Sequence, residues 1–144
     1  TKILAFINNN SNKMNKRIMF TGAIFGGLAV ILGAFGAHAL KALLSPELLS
    51  SFETGVRYQM FHALLLLILP SLGYNQHQLK RLWLLISTGI VLFSGSIYAL
   101  SLGSVLEWNV RWLGPVTPLG GTLLIAGWIT LAYFAFTRNS IKSD

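Results

Sequence analysis

Four long segments of this chain, Ile18–Leu40, Tyr58–Leu79, Leu82–Leu106 and Trp112–Thr137, contain no Lys, Arg, Asp or Glu. A helix needs about 20 mainly apolar residues to cross a hydrocarbon core of about 30 Å, and each segment is long enough. The expected fold is all-α: an integral membrane four-helix bundle with spans at about residues 18–40, 57–74, 82–103 and 116–137. Of the 144 residues 53% are hydrophobic and 10% charged, whereas a soluble domain carries roughly 25% charged residues, so this set cannot build a water-facing surface. The length suits one four-span domain over residues 14–137 and leaves no room for a second. With no cysteine in the chain, disulfides, thiolate metal sites and thiol catalysis are excluded.

The placement of charge sets the expected topology. Lys2, Lys13, Lys16 and Arg17 precede span one, Lys80 and Arg81 lie between spans two and three, and Arg138 and Lys142 follow span four, with Asp144 the one acid on that side. The opposite side has Lys41, Arg57 and Arg111, balanced by Glu47, Glu53 and Glu107. The positive-inside rule then puts both termini in the cytoplasm. The net charge of +7 is explained by anionic headgroups and insertion topology, since the basic residues flank apolar runs; no nucleic-acid partner is expected.

Residues 1–13 are Asn-rich and read as an N-terminal extension or arm before Met14-Asn15-Lys16-Arg17; residues 138–144 read as a cytoplasmic tail. Lys16-Arg17, the apolar run and Ala37-His38-Ala39 imitate a cleavable signal, but the run is longer than a signal core.

Gly22, Gly26, Ala29, Gly33 and Gly36 repeat at a 4-3-4-3 spacing and form a small-residue seam on span one. Lipid tails are as apolar as Leu, so helices associate there through close backbone approach at such residues. The seam fits a homodimer contact at Gly22 and Gly26 or ordinary packing inside the bundle. Ser45-Pro46-Glu47 is a good helix start. It opens a short amphipathic interfacial helix between spans one and two, which runs or bends near Gly55 into span two. Pro70 either kinks or ends that span. Ser87, Ser94, Tyr98 and Ser101 share a stripe of span three suited to hydrogen bonds between helices. Trp108 and Trp112 flank an outer loop at headgroup depth.

Chemistry-bearing groups gather on the outer side. Glu53 and Arg57 are four apart, the spacing of a helical ion pair; Tyr58 and His62 are also four apart, with Gln59 three before His62. His38, near the outer end of span one, is expected at a depth similar to that of His62. Three readings stay open for His38, Glu53, Arg57, Tyr58, Gln59 and His62. They form a polar knot that fixes spans one and two in register, or a site for a small molecule or lipid headgroup with Arg57 meeting an anion, or a metal or haem site through His38 and His62. Two histidines without a carboxylate of assured reach leave a zinc or iron set incomplete, so no metal and no cofactor are expected. No Ser/His/Asp arrangement, H-E-x-x-H or phosphate-binding loop occurs. No span carries the embedded carboxylate that proton-coupled transport usually needs.

The segments Gly33-Ala34-Phe35-Gly36-Ala37-His38-Ala39-Leu40, Thr54-Gly55-Val56-Arg57-Tyr58-Gln59-Met60-Phe61-His62-Ala63-Leu64, Phe93-Ser94-Gly95-Ser96 and Gly114-Pro115-Val116-Thr117-Pro118-Leu119-Gly120-Gly121 occur in this order. Together they resemble the YgdD-like family, also called the transmembrane protein 256 family or domain-of-unknown-function family 423. The resemblance runs from about Met14 to Phe136. It implies a small four-span protein of the bacterial inner membrane or a related organelle membrane, and it implies no activity. The expectation is a non-enzymatic membrane protein that acts by packing, as a homo-oligomer or an accessory subunit of a larger complex, with membrane lipids around it. A ligand, lipid or metal binder using the outer cluster is the alternative.

Overall fold

The computed structural model describes residues 2–140, with side chains from 12 to 137. It consists of α1 (Lys2–Ala37), α2 (Pro46–Ile68), α3 (Gln76–Val105) and α4 (Val116–Ser140), joined by short 3-10 turns at Leu40–Ala42, Leu69–Leu72 and Arg111–Leu113. Among the described residues there is no strand. Four segments are long and apolar enough to cross a membrane: Asn12–Ala42, Pro46–Leu72, Gln76–Val105 and Arg111–Thr137.

Local chemistry accounts for the helix ends. Ser45 has extended backbone and its side chain accepts from the Leu48 N–H, while Pro46 takes a position whose missing N–H costs nothing. Of the two courses expected past Gly55, α2 takes the first: the amphipathic stretch and the span are one continuous helix, unbroken at residue 57. Gly55 lies within it, buried against Tyr98 and Ile97 of α3, where a side chain would collide. At the other end, Pro70 has no N–H to continue the ladder, so α2 tightens to a 3-10 turn and stops at Gly73, whose φ is 71°. Asn75 and Gln78 then close a reciprocal capping box at the start of α3. Residues 2–13, expected as an extension or arm, lie in α1 as helix continuous with span one. Residues 141–144 of the expected tail, including Asp144, lie outside the described residues.

The helices pack in sequence, α1 on α2, α2 on α3 and α3 on α4, with a lighter contact of α1 on α3 and, among the described residues, no comparable packing of α4 on α1. The small-residue seam of α1 lies along α2. A Cβ on Gly22 would stand 3.0 Å from the Ala63 carbonyl oxygen, one on Gly33 3.4 Å from Val56 and one on Gly36 3.4 Å from the Phe52 ring. Ala29, in the middle of the seam, is buried. Gly22 and Gly26 therefore both face α2 within the chain, the ordinary packing of the two expected uses. The closest approach of all joins α3 and α4: a Cβ on Gly120 would run into the backbone of Leu92 and Phe93, and one on Gly89 would stand 2.6 Å from Leu124.

Ile18, Leu66, Leu69, Leu79, Leu82 and Ile86 form the main core, and Leu40, Leu44 and Phe52 a smaller one at the end of the bundle marked by Lys41. Phe20, Val30, Phe61, Ile125, Ile129 and Phe136 point outward. An apolar exterior over a packed interior is the arrangement expected where lipid is the solvent.

Candidate functional site

Helix α2 is the hub of the polar interactions. Gln59 and His62 are each only 4% exposed, so each buried nitrogen and oxygen needs a partner. Gln59 has two. Its Nε2 donates to the Phe25 carbonyl oxygen of α1 at 2.8 Å, and its Oε1 accepts from the Tyr98 hydroxyl of α3 at 2.9 Å. One amide thereby ties three helices.

His62 uses both ring nitrogens. The Trp128 indole N–H of α4 donates to Nε2 at 3.0 Å, and Nδ1 lies 2.7 Å from the Tyr58 carbonyl oxygen. An indole nitrogen can only donate, so Nε2 accepts, the proton sits on Nδ1, and the imidazole is neutral. The ring centroids of His62 and Trp128 are 6.1 Å apart at 70°, an edge contact. Nearby, the Ser94 hydroxyl donates to the Gly55 carbonyl oxygen at 2.8 Å and that of Ser101 reaches the Leu48 carbonyl oxygen at 3.4 Å. Ser96 and Thr117 join α3 to α4 at 2.7 Å. Ser87, of the same expected stripe, has a buried hydroxyl with no hydrogen-bond partner among the described residues.

The other residues of the expected cluster stand apart. His38 follows the end of α1, is exposed, and makes no side-chain hydrogen bond among the described residues. The contacts of Gly33 with Val56 and Gly36 with Phe52 set α1 against α2 in a register that puts His38 level with Ser50 and Ser51. His62 is twelve residues further along α2, about 18 Å away at 1.5 Å per residue. The expectation of similar depths is corrected. With both nitrogens of His62 engaged and no group of three His, Asp or Glu gathered among the described residues, the metal and haem reading has no geometry to support it.

Glu53 and Arg57 do not form the expected ion pair. Arg57 Nη2 instead donates to the Thr54 hydroxyl at 3.2 Å, one turn nearer the start of α2. Helical side chains lean toward the N-terminus, and Thr54 at i−3 lies in that path. Both charged residues are exposed, and they flank a groove of about 270 Å³ whose floor is Gly33, Gly36, Phe52 and Val56. The same register makes Arg57 level with Ile31 and Leu32 of α1, about 8 Å short of the end of that helix at Ala37 and about 22 Å beyond Arg17. This is well inside the uncharged stretch of span one. Tyr58, half-exposed, lies over Phe93 with centroids 5.0 Å apart.

Two further recesses are present. One of about 400 Å³ lies over α3 between α2 and α4, with Ser51, Thr54, Ser101 and Thr117 on its polar side and Leu48, Ile97 and Leu100 on its apolar side. The other, about 310 Å³, is bounded by Lys13, Met14, Arg17 and Gln76. Sequence reasoning missed Phe25 and Trp128. A backbone carbonyl gives no residue-type signal, but Trp128 did give one, as a lone indole deep in span four, away from the interfaces where tryptophans gather.

The sequence profile of the family described as "Protein of unknown function (DUF423)" matches residues 32–121. A UPF0382 membrane protein of Haemophilus influenzae is 39% identical over 134 residues, covering 89% of this chain and 100% of its own length. The UPF0382 membrane protein YwdK of Bacillus subtilis is 40% identical over 124 residues, 83% of this chain and 96% of its own. A UPF0382 membrane protein of Schizosaccharomyces pombe is 41% identical over 114 residues, 76% and 92%. No solved structure matches the chain. With four candidate spans and relatives of this kind over nearly their whole length, the protein is a multi-pass integral membrane protein of the DUF423 family.

Proposed function

We propose that this protein acts by packing within the membrane, as a non-enzymatic component of an assembly, either a homo-oligomer or a larger membrane complex. One observation carries the reading: Glu53 and Arg57 face outward beside the α1–α2 groove at the depth of the apolar spans, with no ionic partner of their own among the described residues. On insertion scales a charge costs about 2.5 to 3.5 kcal/mol at mid-bilayer and less toward the interface, and ionisable residues within spans normally pair or face a polar cavity. A protein surface that brings the complementary charges removes that cost. The interior polar groups, by contrast, are nearly all used to hold the bundle together, so they support a structural role. The assembly is proposed to lie in the bacterial cytoplasmic membrane, and the distribution of Lys and Arg supports an orientation with both termini inside. Extraction from native membranes in a mild detergent, followed by native mass measurement, tests the proposal. Masses above that of one chain are expected; a lone monomer under every gentle condition contradicts it.

The second reading, a lipid or small-molecule binder, draws on the same groove, whose Glu53 and Arg57 present an acid and a base beside an apolar floor. Extracted lipid that stays bound through purification and is lost on Arg57→Ala supports this reading over the first.

A further inference from the structure

The Cα atoms of Glu53 and Arg57 differ by one helical turn, about 6 Å of rise. The Arg57 side chain runs back toward the start of α2, and its Nη2 reaches the Thr54 hydroxyl at 3.2 Å. The guanidinium is thereby brought level with the turn that carries Glu53. Acid and base stand side by side at one depth, both exposed, and neither is paired with the other.

The exposed face of α2 continues away from them through Phe61, Leu64 and Ile68, which are 60%, 49% and 53% exposed. Arg57, Phe61, Leu64 and Ile68 follow a 4-3-4 spacing. That alternation keeps a single seam turned toward a neighbouring helix that crosses at a shallow angle. It differs from the seam of α1, which is already covered by α2.

We propose that a second copy of this chain covers this face, α2 against α2, about a two-fold axis along the membrane normal, with Glu53 of each copy paired to Arg57 of the other. The inference rests on the packing role proposed above and names the partner. A two-fold contact is self-complementary: if one residue meets a second, the second also meets the first. One acid and one base at equal depth satisfy that condition without any further residue. An axis along the membrane normal is the two-fold that preserves depth and leaves both copies inserted the same way. A lipid phosphate fits less well, because it would meet Arg57 and leave Glu53 without a partner.

The test exchanges charges between two differently tagged full-length chains in lipid nanodiscs or liposomes, read by energy transfer. Glu53→Arg alone gives both copies two cations, and Arg57→Glu alone gives both copies two anions. Each variant is expected to lose self-association at least tenfold, and a mixture of the two to regain it, since the cationic copy then meets the anionic one. Mixed variants that associate no better than either alone overturn the reciprocal pairing.

Because a charge reversal can impair folding, a second measurement uses the absence of native cysteine. The chain with Phe61→Cys alone, oxidised in native membranes, is expected to form a disulfide-linked dimer. Ile125→Cys, on the exposed face of α4, is expected to form none. Absence of the Phe61→Cys dimer together with a native mass that includes other proteins overturns the second-copy inference and leaves the packing role standing. Absence of that dimer together with a monomeric mass overturns both.

Discussion

Trp128 donates its indole N–H to Nε2 of His62 across 3.0 Å, and among the described residues this is the one side-chain hydrogen bond between α4 and α2. Helix α4 otherwise leans on α3. The bond therefore fixes the position of α4 against the hub helix, and it also fixes the His62 tautomer. Replacing Trp128 with Phe keeps most of the ring and removes the donor, leaving Nε2 buried. The expected loss is about 1 kcal/mol, within the 0.6 to 1.7 kcal/mol measured for hydrogen bonds between membrane helices. Unfolding of the solubilised protein by a denaturing detergent reads the change.

Gln59 makes a sharper case, because one side chain joins α1, α2 and α3. Gln59→Leu leaves the Tyr98 hydroxyl without its acceptor, and Tyr98→Phe leaves Oε1 without its donor. Each is expected to destabilise by about 1 to 2 kcal/mol. Together they should cost less than their sum, by about 0.5 kcal/mol or more, since both remove the same bond. Additive losses in a double-mutant cycle indicate that the bond contributes nothing.

The glycines divide by what surrounds them. At Gly120 a Cβ meets the backbone of Leu92 and Phe93, and backbone cannot move aside as a side-chain tip can. Gly120→Ala is expected to force α3 and α4 apart, costing about 1 to 3 kcal/mol. At Gly95 nothing lies within 4 Å of the added methyl. Gly95→Ala should be neutral, or stabilise by up to about 1 kcal/mol through helix propensity. Thermal unfolding of the two variants side by side distinguishes them.

Four spans were legible because a run without charge is a property of contiguous sequence, and the helix start at Ser45 was legible because caps act within four residues. The polar network was legible only in part. Gln59 and His62 lie on one helix at visible spacing, but their partners Phe25, Tyr98 and Trp128 come from three others, and a single sequence does not state which helix faces which. Two local inferences failed for physical reasons. The Glu53–Arg57 spacing permits an ion pair, yet the guanidinium found a hydroxyl at i−3. His38 and His62 looked level only while the register of α1 on α2 was unknown.

Glu107 ends α3 with φ of 54°, the left-handed conformation that glycine adopts at little cost. The Trp108 N–H donates to the Gly103 carbonyl oxygen at 3.0 Å, closing the helix end around it. Holding a side chain in this region costs about 1 to 2 kcal/mol. Glu107→Gly is expected to raise stability by about 1 kcal/mol, less whatever the freer unfolded chain gives back. An unchanged or lower melting temperature contradicts the strain at this position.

The depth of Arg57 is best tested with nitroxide spin labels on single cysteines at Lys41, Glu53, Arg57 and Phe61, in vesicles, with collision rates to oxygen and to a water-soluble nickel chelate. The ratio should favour oxygen progressively from Lys41 through Glu53 and Arg57 to Phe61, placing the label at Arg57 among the lipid chains. A label at Arg57 that meets the nickel chelate as readily as one at Lys41 puts this face in water, and contradicts a charged docking face inside the membrane.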